Sequence, residues 1–205
     1  MPIIDISTVL SSQAAPWPGD TPVVIHHELL MDEGASVNLS SLRMSLHSGT
    51  HVDAPWHFSM TGAKLDTVDI EVYVGPAVVV DVEGFDTISA EVIDSRVGTW
   101  QPRVLLRTSS WLDRSVFPTR IPLLTPQAID LLADHRVTLV GLDVPSVDAI
   151  ESKTLPNHNR LLSAVIHILE SAWLEDASPG VYELIALPLK ISDGDASPVR
   201  AILRS

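Results

Sequence analysis

The sequence predicts an α+β domain, a β-rich α/β arrangement, and three observations point there. Short apolar runs at 77–81, 104–108, 139–143 and 182–187 have the length and content of buried strands. Between them, helical spacing is confined to 89–96 and 125–135. No internal repeat and no dividing linker breaks the 205 residues, so 1–205 reads as a single domain with a sizeable core. Many strands with a few short helices on one side is the layering this pattern favours.

The elements have local reasons, taken in order. Residues 3–6, Ile-Ile-Asp-Ile, begin like a strand, and 16–22, punctuated by Pro16, Pro18, Gly19 and Pro22, must be an ordered loop. Alternation across 23–30 and 36–47 predicts two further strands, the second ending on His47. Thr125-Pro126 is a helix start, a capping hydroxyl followed by a first-turn proline.

Hydrophobic residues make up 45% of the chain and charged residues 19%, a globular composition. The formal net charge of −13 repels phosphate backbones, so nucleic acid is not an expected partner, while bound divalent cations would offset part of it. The absence of cysteine excludes disulfides, thiolate zinc sites and a cysteine nucleophile. Met1-Pro-Ile-Ile-Asp-Ile carries no basic leader, and no apolar run reaches membrane-spanning length. The expectation is a soluble cytoplasmic protein without a membrane partner.

Chemistry concentrates in His47-Ser-Gly-Thr-His51-Val-Asp53-Ala-Pro-Trp-His57-Phe58. Imidazole and carboxylate are the ligands a cysteine-free chain offers to zinc or manganese, and histidine is the side chain that titrates nearest neutrality. In a fully extended chain His47, His51, Asp53 and His57 would share one face, but four residues of strand span about 13 Å, too far for His47 and His51 to reach one ion. Gly49 and Pro55 argue against a helix. The compromise is a strand carrying His47, a bend at 48–50, and a second extended piece with His51 and Asp53 on one face. Pro55 keeps the next stretch from becoming helical, and His57 stands at the edge of the site.

A second stretch, Leu155-Pro-Asn-His158-Asn-Arg-Leu-Leu162 followed by Val165-Ile-His-Ile-Leu-Glu170, supplies more ligands. One helix from 158 to 170 would hold His158 and Glu170 about 18 Å apart. A short helix ending near 163–164, with the chain doubling back as a strand through β-branched Val165-Ile166, brings both to one place. His47, His51, Asp53, His158 and Glu170 then form a set of imidazoles and carboxylates. Carboxylates can bridge, so the set fits two divalent ions better than one, and such a pair acidifies a shared water. His57, outside the set, is the natural proton carrier.

The first stretch resembles the H-x-G-T-H-x-D-x-P-x-H-F signature of the cyclase-like metal-dependent hydrolases, and within that family it looks nearest to bacterial formamidases. Trp17-Pro-Gly-Asp20, Ser152-Lys-Thr-Leu-Pro156 and Pro188-Leu-Lys190-Ile-Ser-Asp-Gly194-Asp-Ala-Ser-Pro198-Val-Arg200 follow in family order, so the resemblance covers nearly the whole chain. It implies a swivelling β/β/α fold, a homodimer, and a zinc-dependent hydrolase that cleaves N-formyl-L-kynurenine to L-kynurenine and formate in tryptophan degradation. It implies His47, His51 and Asp53 on one metal, with Asp53, His158 and Glu170 on or across the second. His57 matches the family's acid/base position, and Trp17 a substrate-contacting aromatic suited to stacking on an aniline ring. The chain departs from the pattern at Asn159, where relatives often carry a second histidine, so His158 rests on its twelve-residue distance to Glu170.

Singly, these residues have plainer readings. His26, His27, His135 and His167 read as structural or surface residues; Asp53 could start a turn, and Glu170 could mark where a strand meets water. Trp17 could pack or form a dimer contact, and 193–200 reads as a structural loop near the site, with Arg200 able to reach a substrate carboxylate. The function expected is arylformamide hydrolysis. Alternatives are hydrolysis of another small cyclic amide such as isatin, and a non-catalytic metal-binding or small-ligand-binding module, which would not need His57. A serine hydrolase requires a G-x-S-x-G elbow, absent from the chain.

Overall fold

The computed structural model of the chain describes residues 2–205. In chain order the strands are β1 (Ile3–Asp5), β2 (Val24–Leu29), β3 (Leu39–Arg43), β4 (His51–Asp53), β5 (Val74–Asp81), β6 (Thr87–Ile88), β7 (Arg103–Arg107), β8 (Leu123–Leu124), β9 (Leu139–Leu142), β10 (His167–Glu170), β11 (Gly180–Ile185), β12 (Ala196–Pro198) and β13 (Ile202–Arg204). The helices are α1 (Ala90–Asp94), α2 (Pro126–Asp134) and α3 (Pro156–Ser163).

Among the described residues, one sheet runs β1-β13-β11-β5-β7-β9-β10-β4-β12. Its centre, β5-β7-β9-β10, is parallel, and both flanks are antiparallel. The central strands are apolar on both faces, as strands covered twice must be. Val78, Val80, Val104, Leu106, Val140, Leu142 and Ile168 pack under Ile93 of α1, Ala128, Ile129 and Leu132 of α2 and Leu161 of α3. Their alternates Ala77, Val79, Leu105, Leu139 and Leu169 pack on the other side against loop residues such as Ile6, Leu65, Tyr73 and Leu174. The helices therefore lie on one side of the sheet, as the sequence pattern predicts. Ser89 and Thr125 cap α1 and α2 through their hydroxyls, and Pro126 occupies the first turn of α2.

Two local expectations need correction. The strand at 36–47 stops at Arg43, and His47 lies in the turn that carries the chain from the β2–β3 hairpin into the main sheet. That turn closes with Ser48 N–H donating to the Ser45 carbonyl at 3.2 Å. Pro55, expected to forbid helix, instead opens a single 3-10 turn, Pro55–His57, because its fixed φ suits a first helical position. The bend at 48–50 is present: Gly49 has φ +65°, and a Cβ there would stand 2.7 Å from Leu10 Cδ2. The reversal near 163–164 is present too, with α3 ending at Ser163 and β10 beginning at His167.

Strand register then positions the site. Glu170 of β10 stands opposite His51 of β4. On the other side of β4, Ala196 pairs with Asp53 and Pro198 with His51. Val52 points into the loop-covered core, which turns His51 and Asp53 to the opposite face, where α3 lies.

Candidate metal centre

Asp53 is the hub. Its Oδ1 lies 3.1 Å from His47 Nδ1 and 3.5 Å from His51 Nε2, and its Oδ2 lies 3.6 Å from His158 Nε2. Glu170 closes both halves, with Oε2 3.4 Å from His51 Nε2 and Oε1 3.7 Å from His158 Nε2. Ligand atoms about 2.1 Å from a tetrahedral ion stand about 3.4 Å apart, and the gaps of 3.4 to 3.7 Å around His51, His158 and Glu170 match that spacing. His47, His51 and Asp53 form one cluster with ligand atoms within 4.8 Å of one another, and Asp53, His158 and Glu170 form a second. His51, Asp53, His158 and Glu170 are all buried. His51 Nε2 and both Asp53 oxygens are buried with no hydrogen-bond partner, a state that buried polar atoms rarely tolerate. The donors are imidazole and carboxylate, and a divalent cation satisfies them.

Each imidazole of these two clusters has its second nitrogen held from outside. His51 Nδ1 donates to the Gly49 carbonyl at 2.9 Å, which the left-handed Gly49 turns towards it. His158 Nδ1 stands 2.7 Å from Asp148 Oδ2, and Asp148 also accepts the backbone N–H groups of Asn157 and His158 at the start of α3. His47 Nε2 stands 3.1 Å from Asp195 Oδ2. Such partners fix tautomer and ring orientation at metal sites. Sequence reasoning missed Asp148 and Asp195. Their signal was faint: one acid sits in the loop after a buried strand, and the other follows Gly194 in a stretch read as structural.

His57 belongs to neither cluster that contains Asp53; its side chain is about one-third exposed, and its ring lies 4.0 Å from that of His47. It lines a cavity of about 290 Å³ together with the ligand histidines, Glu170 and an aromatic wall. Trp17 meets Phe117 edge-on at 5.2 Å between centroids, and Phe117 meets Trp111 at 5.9 Å. Arg114 ties this wall down. Its guanidinium lies 4.1 Å over Trp111 and donates to the Ala172 carbonyl, while its own carbonyl accepts from Ala15. Trp111 and Phe117 are further residues that the sequence reading did not single out.

Other residues lie elsewhere. Arg200 does not line the cavity; it pairs with Asp5 at 2.8 Å. Asn159 turns outward and donates to the Thr154 and Leu155 carbonyls. His26 and His27 are exposed on β2, His135 stacks on Trp100, and His167 faces Tyr73. No described helix is long and apolar enough to cross a membrane.

A family model described as "Putative cyclase" matches residues 4–149. The chain is 44% identical over 201 residues to the kynurenine formamidase of Bacillus cereus (strain ZK / E33L), covering 98% of this chain and 96% of the relative. Among solved structures, it is similar to one described as "predicted metal-dependent hydrolase from Bacillus stearothermophilus", with TM-score 0.83, 25% identity, and 98% and 97% of the two chains covered. It is also similar to an isatin hydrolase bound to the product analogue thioisatinate, with TM-score 0.81, 25% identity, and 98% and 91% covered.

Electrostatics give the centre a pH dependence. Burial disfavours charge on His47, His51 and His158, yet their carboxylate neighbours outweigh it and push them up to about 9, 10 and 10. Burial likewise opposes charge on Asp53, but its histidine partners hold it well below the usual carboxylate range. Without metal, protons on the imidazoles compensate the buried carboxylates. A raised folded-state pKa contributes stability that is full below the unfolded value of 6.5 and lost as pH rises through 9 to 10. Ligation requires neutral imidazoles, so metal affinity rises over the same interval. Chelator-treated protein is expected to lose stability in urea between pH 7 and 10 while the increment added by zinc grows. A metal increment flat across that range would contradict the linkage.

Proposed function

This chain belongs to the cyclase family, and we propose that it hydrolyses N-formyl-L-kynurenine to L-kynurenine and formate, in tryptophan degradation, at a centre of two divalent ions. The substrate follows from the near full-length likeness to a kynurenine formamidase. The observation that carries the two-ion reading is Asp53, whose buried, unpartnered oxygens each face a different set of imidazoles. His47, His51 and Asp53 would hold one ion, and Asp53, His158 and Glu170 the other. Zinc suits the ligands, and manganese is the next candidate. Bound there, the ions supply Lewis acidity for the formyl oxygen and lower the pKa of water.

The chain's own residues do the rest. His57 takes the proton of the attacking water and delivers it to the departing aryl amine, a poor leaving group without it. Burial lowers its pKa, so the ring is neutral and able to accept that proton near pH 7. Trp17 offers its face to the aniline ring and, with Phe117 and Trp111, excludes water from that side.

We propose a homodimer, and the β2–β3 hairpin is its candidate surface. The β2–β3 hairpin forms a separate two-stranded sheet exposed on every residue. It shows Val24, Ile25, Leu29, Leu39 and Leu42 to solvent, with Ile25 directly opposite Leu42. An isolated hairpin is marginal in water, and an apolar patch of this kind marks an interface. We assign the partner as a second copy, in a cytoplasmic protein.

Purified protein loaded with zinc is expected to turn over N-formylkynurenine, followed by its ultraviolet change, and to stop on chelation. Absence of turnover alongside ring-opening of isatin would move the substrate to the cyclic amides; absence of both would favour a binding module. His57→Ala is expected to lower kcat by about a hundredfold or more with metal content intact, and metal loss would reassign His57 as a ligand. Trp17→Ala is expected to raise KM by roughly tenfold with little change in kcat; an unchanged KM would remove Trp17 from the substrate site. Ile25→Asp with Leu42→Asp is expected to halve the mass by sedimentation, and an unaltered mass would place the interface elsewhere.

A further inference from the structure

One carboxylate beside His47 and His57 lies outside both clusters that contain Asp53. Asp195 begins the short run into β12, and its carbonyl accepts the backbone N–H of Ala54 at 2.9 Å. Ala54 is also the residue whose carbonyl accepts the N–H of His57, closing the 3-10 turn. Asp195 and His57 are thus hung from the same residue, one strand-pair away from Asp53. The side chain uses that placement. Oδ2 lies 3.1 Å from His47 Nε2 and 3.7 Å from His57 Nδ1, beside two rings whose centroids are 4.0 Å apart and whose planes are tilted by 42°.

His47, His57 and Asp195 also satisfy the spacing of a ligand cluster. A third resident ion is disfavoured by proton count. His47 Nδ1 faces Asp53 and is committed to the first ion, and a neutral imidazole has only one nitrogen free of hydrogen to ligate. With Nδ1 so engaged, Nε2 would carry the hydrogen and donate to Asp195 Oδ2 at 3.1 Å. The other lone pairs of that carboxylate remain available to the hydrogen on His57 Nδ1, and the 3.7 Å gap closes to a hydrogen bond with a sub-ångström rotation, as catalytic contacts often do when substrate binds.

We propose that Asp195 is a positioning residue for both imidazoles: it orients the metal ligand His47 and holds His57 in the tautomer that carries hydrogen on Nδ1, leaving Nε2 free to take and return the reacting proton. This rests on the formamidase reading for the second half of its effect, since His57 needs a free Nε2 only if it moves a proton. One carboxylate then couples the orientation of the metal shell to that of the acid/base group.

The test uses Asp195→Ala and the near-isosteric Asp195→Asn in the zinc-loaded full chain. Metal affinity is expected to fall by about tenfold to a hundredfold in Asp195→Ala. At saturating zinc, kcat is expected to remain down by roughly tenfold to a hundredfold with KM within about twofold. Asp195→Ala combined with His57→Ala is expected to be no slower than His57→Ala alone, because both changes remove one function. Imidazole nitrogen NMR of zinc-loaded protein is expected to report His57 with hydrogen on Nδ1, and to report mixed tautomers in both Asp195 variants. Recovery of wild-type kcat at saturating zinc, additive losses in the double variant, or an unchanged His57 tautomer would each overturn the proposal. If the unaltered protein fails to hydrolyse N-formylkynurenine, the formamidase reading falls while the NMR result still decides the role of Asp195.

Discussion

A buried carboxylate without a hydrogen-bond partner governs this molecule. Burying an ionised group is expensive unless opposite charge meets it, and both Asp53 oxygens are buried with three imidazoles 3.1 to 3.6 Å away. Imidazolium protons or divalent cations must meet that charge. The centre is therefore built as a cation site before it is built as anything else, and its proton affinity and its metal affinity are two outcomes of the same deficit. The Glu170 carboxylate adds to it, since burial and the neighbouring Asp53 both push its pKa upward.

Holding such a site open requires a rigid frame, and the frame is strand register. β4 is only three residues long, yet it is paired on both edges, by β10 and by β12. A slip of one residue would send His51 and Asp53 into the apolar core and bring Val52 into the site. Thr50 adds a lock beside the register: it donates to the Ser171 carbonyl and accepts from Thr8 N–H, both at 2.8 Å. His158 arrives by a different route, on a helix whose first turn is gripped by Asp148. That grip matters because Pro156 removes one donor and Leu155, at the start, adopts φ +46°.

Much of this was legible in the sequence, for reasons that differ by residue. The clustering of His47, His51 and Asp53 was readable because imidazoles and a carboxylate crowd around Gly49, where the chain must bend. The α3-to-β10 reversal was read from β-branched Val165-Ile166; the reversal is present, but Val165 forms its turn with φ +58° and the strand begins only at His167. His47 was read as part of a strand because alternation runs through 36–47, and periodicity does not register a turn that tertiary connection imposes. Asp148 and Asp195 were illegible for a deeper reason. An outer-sphere acid has no spacing rule of its own, and its role exists only once β12 is hung beside β4 and the 143–148 loop is folded over α3. Arg200 illustrates the converse: a conspicuous residue in a conspicuous motif that the β1–β13 edge consumes through Asp5.

The two halves of the cavity have different structural origins, and this bears on how such a fold can change substrate. The ligand side chains come chiefly from paired strands and a capped helix, where displacement breaks register. The aromatic wall comes from loops, with Trp17 between Pro16 and Pro18 and with Trp111 and Phe117 after β7. Those loops are tied to the frame by residues other than the aromatics: Thr8 bonds Thr50 and Ser171, Thr108 and Ser109 bond Asp143, and Arg114 bonds Ala172. Substitution in the wall thus reshapes what fits against the centre without moving a ligand atom. The loop-borne side of the cavity can therefore vary while the buried cluster around Asp53 stays held by strand register.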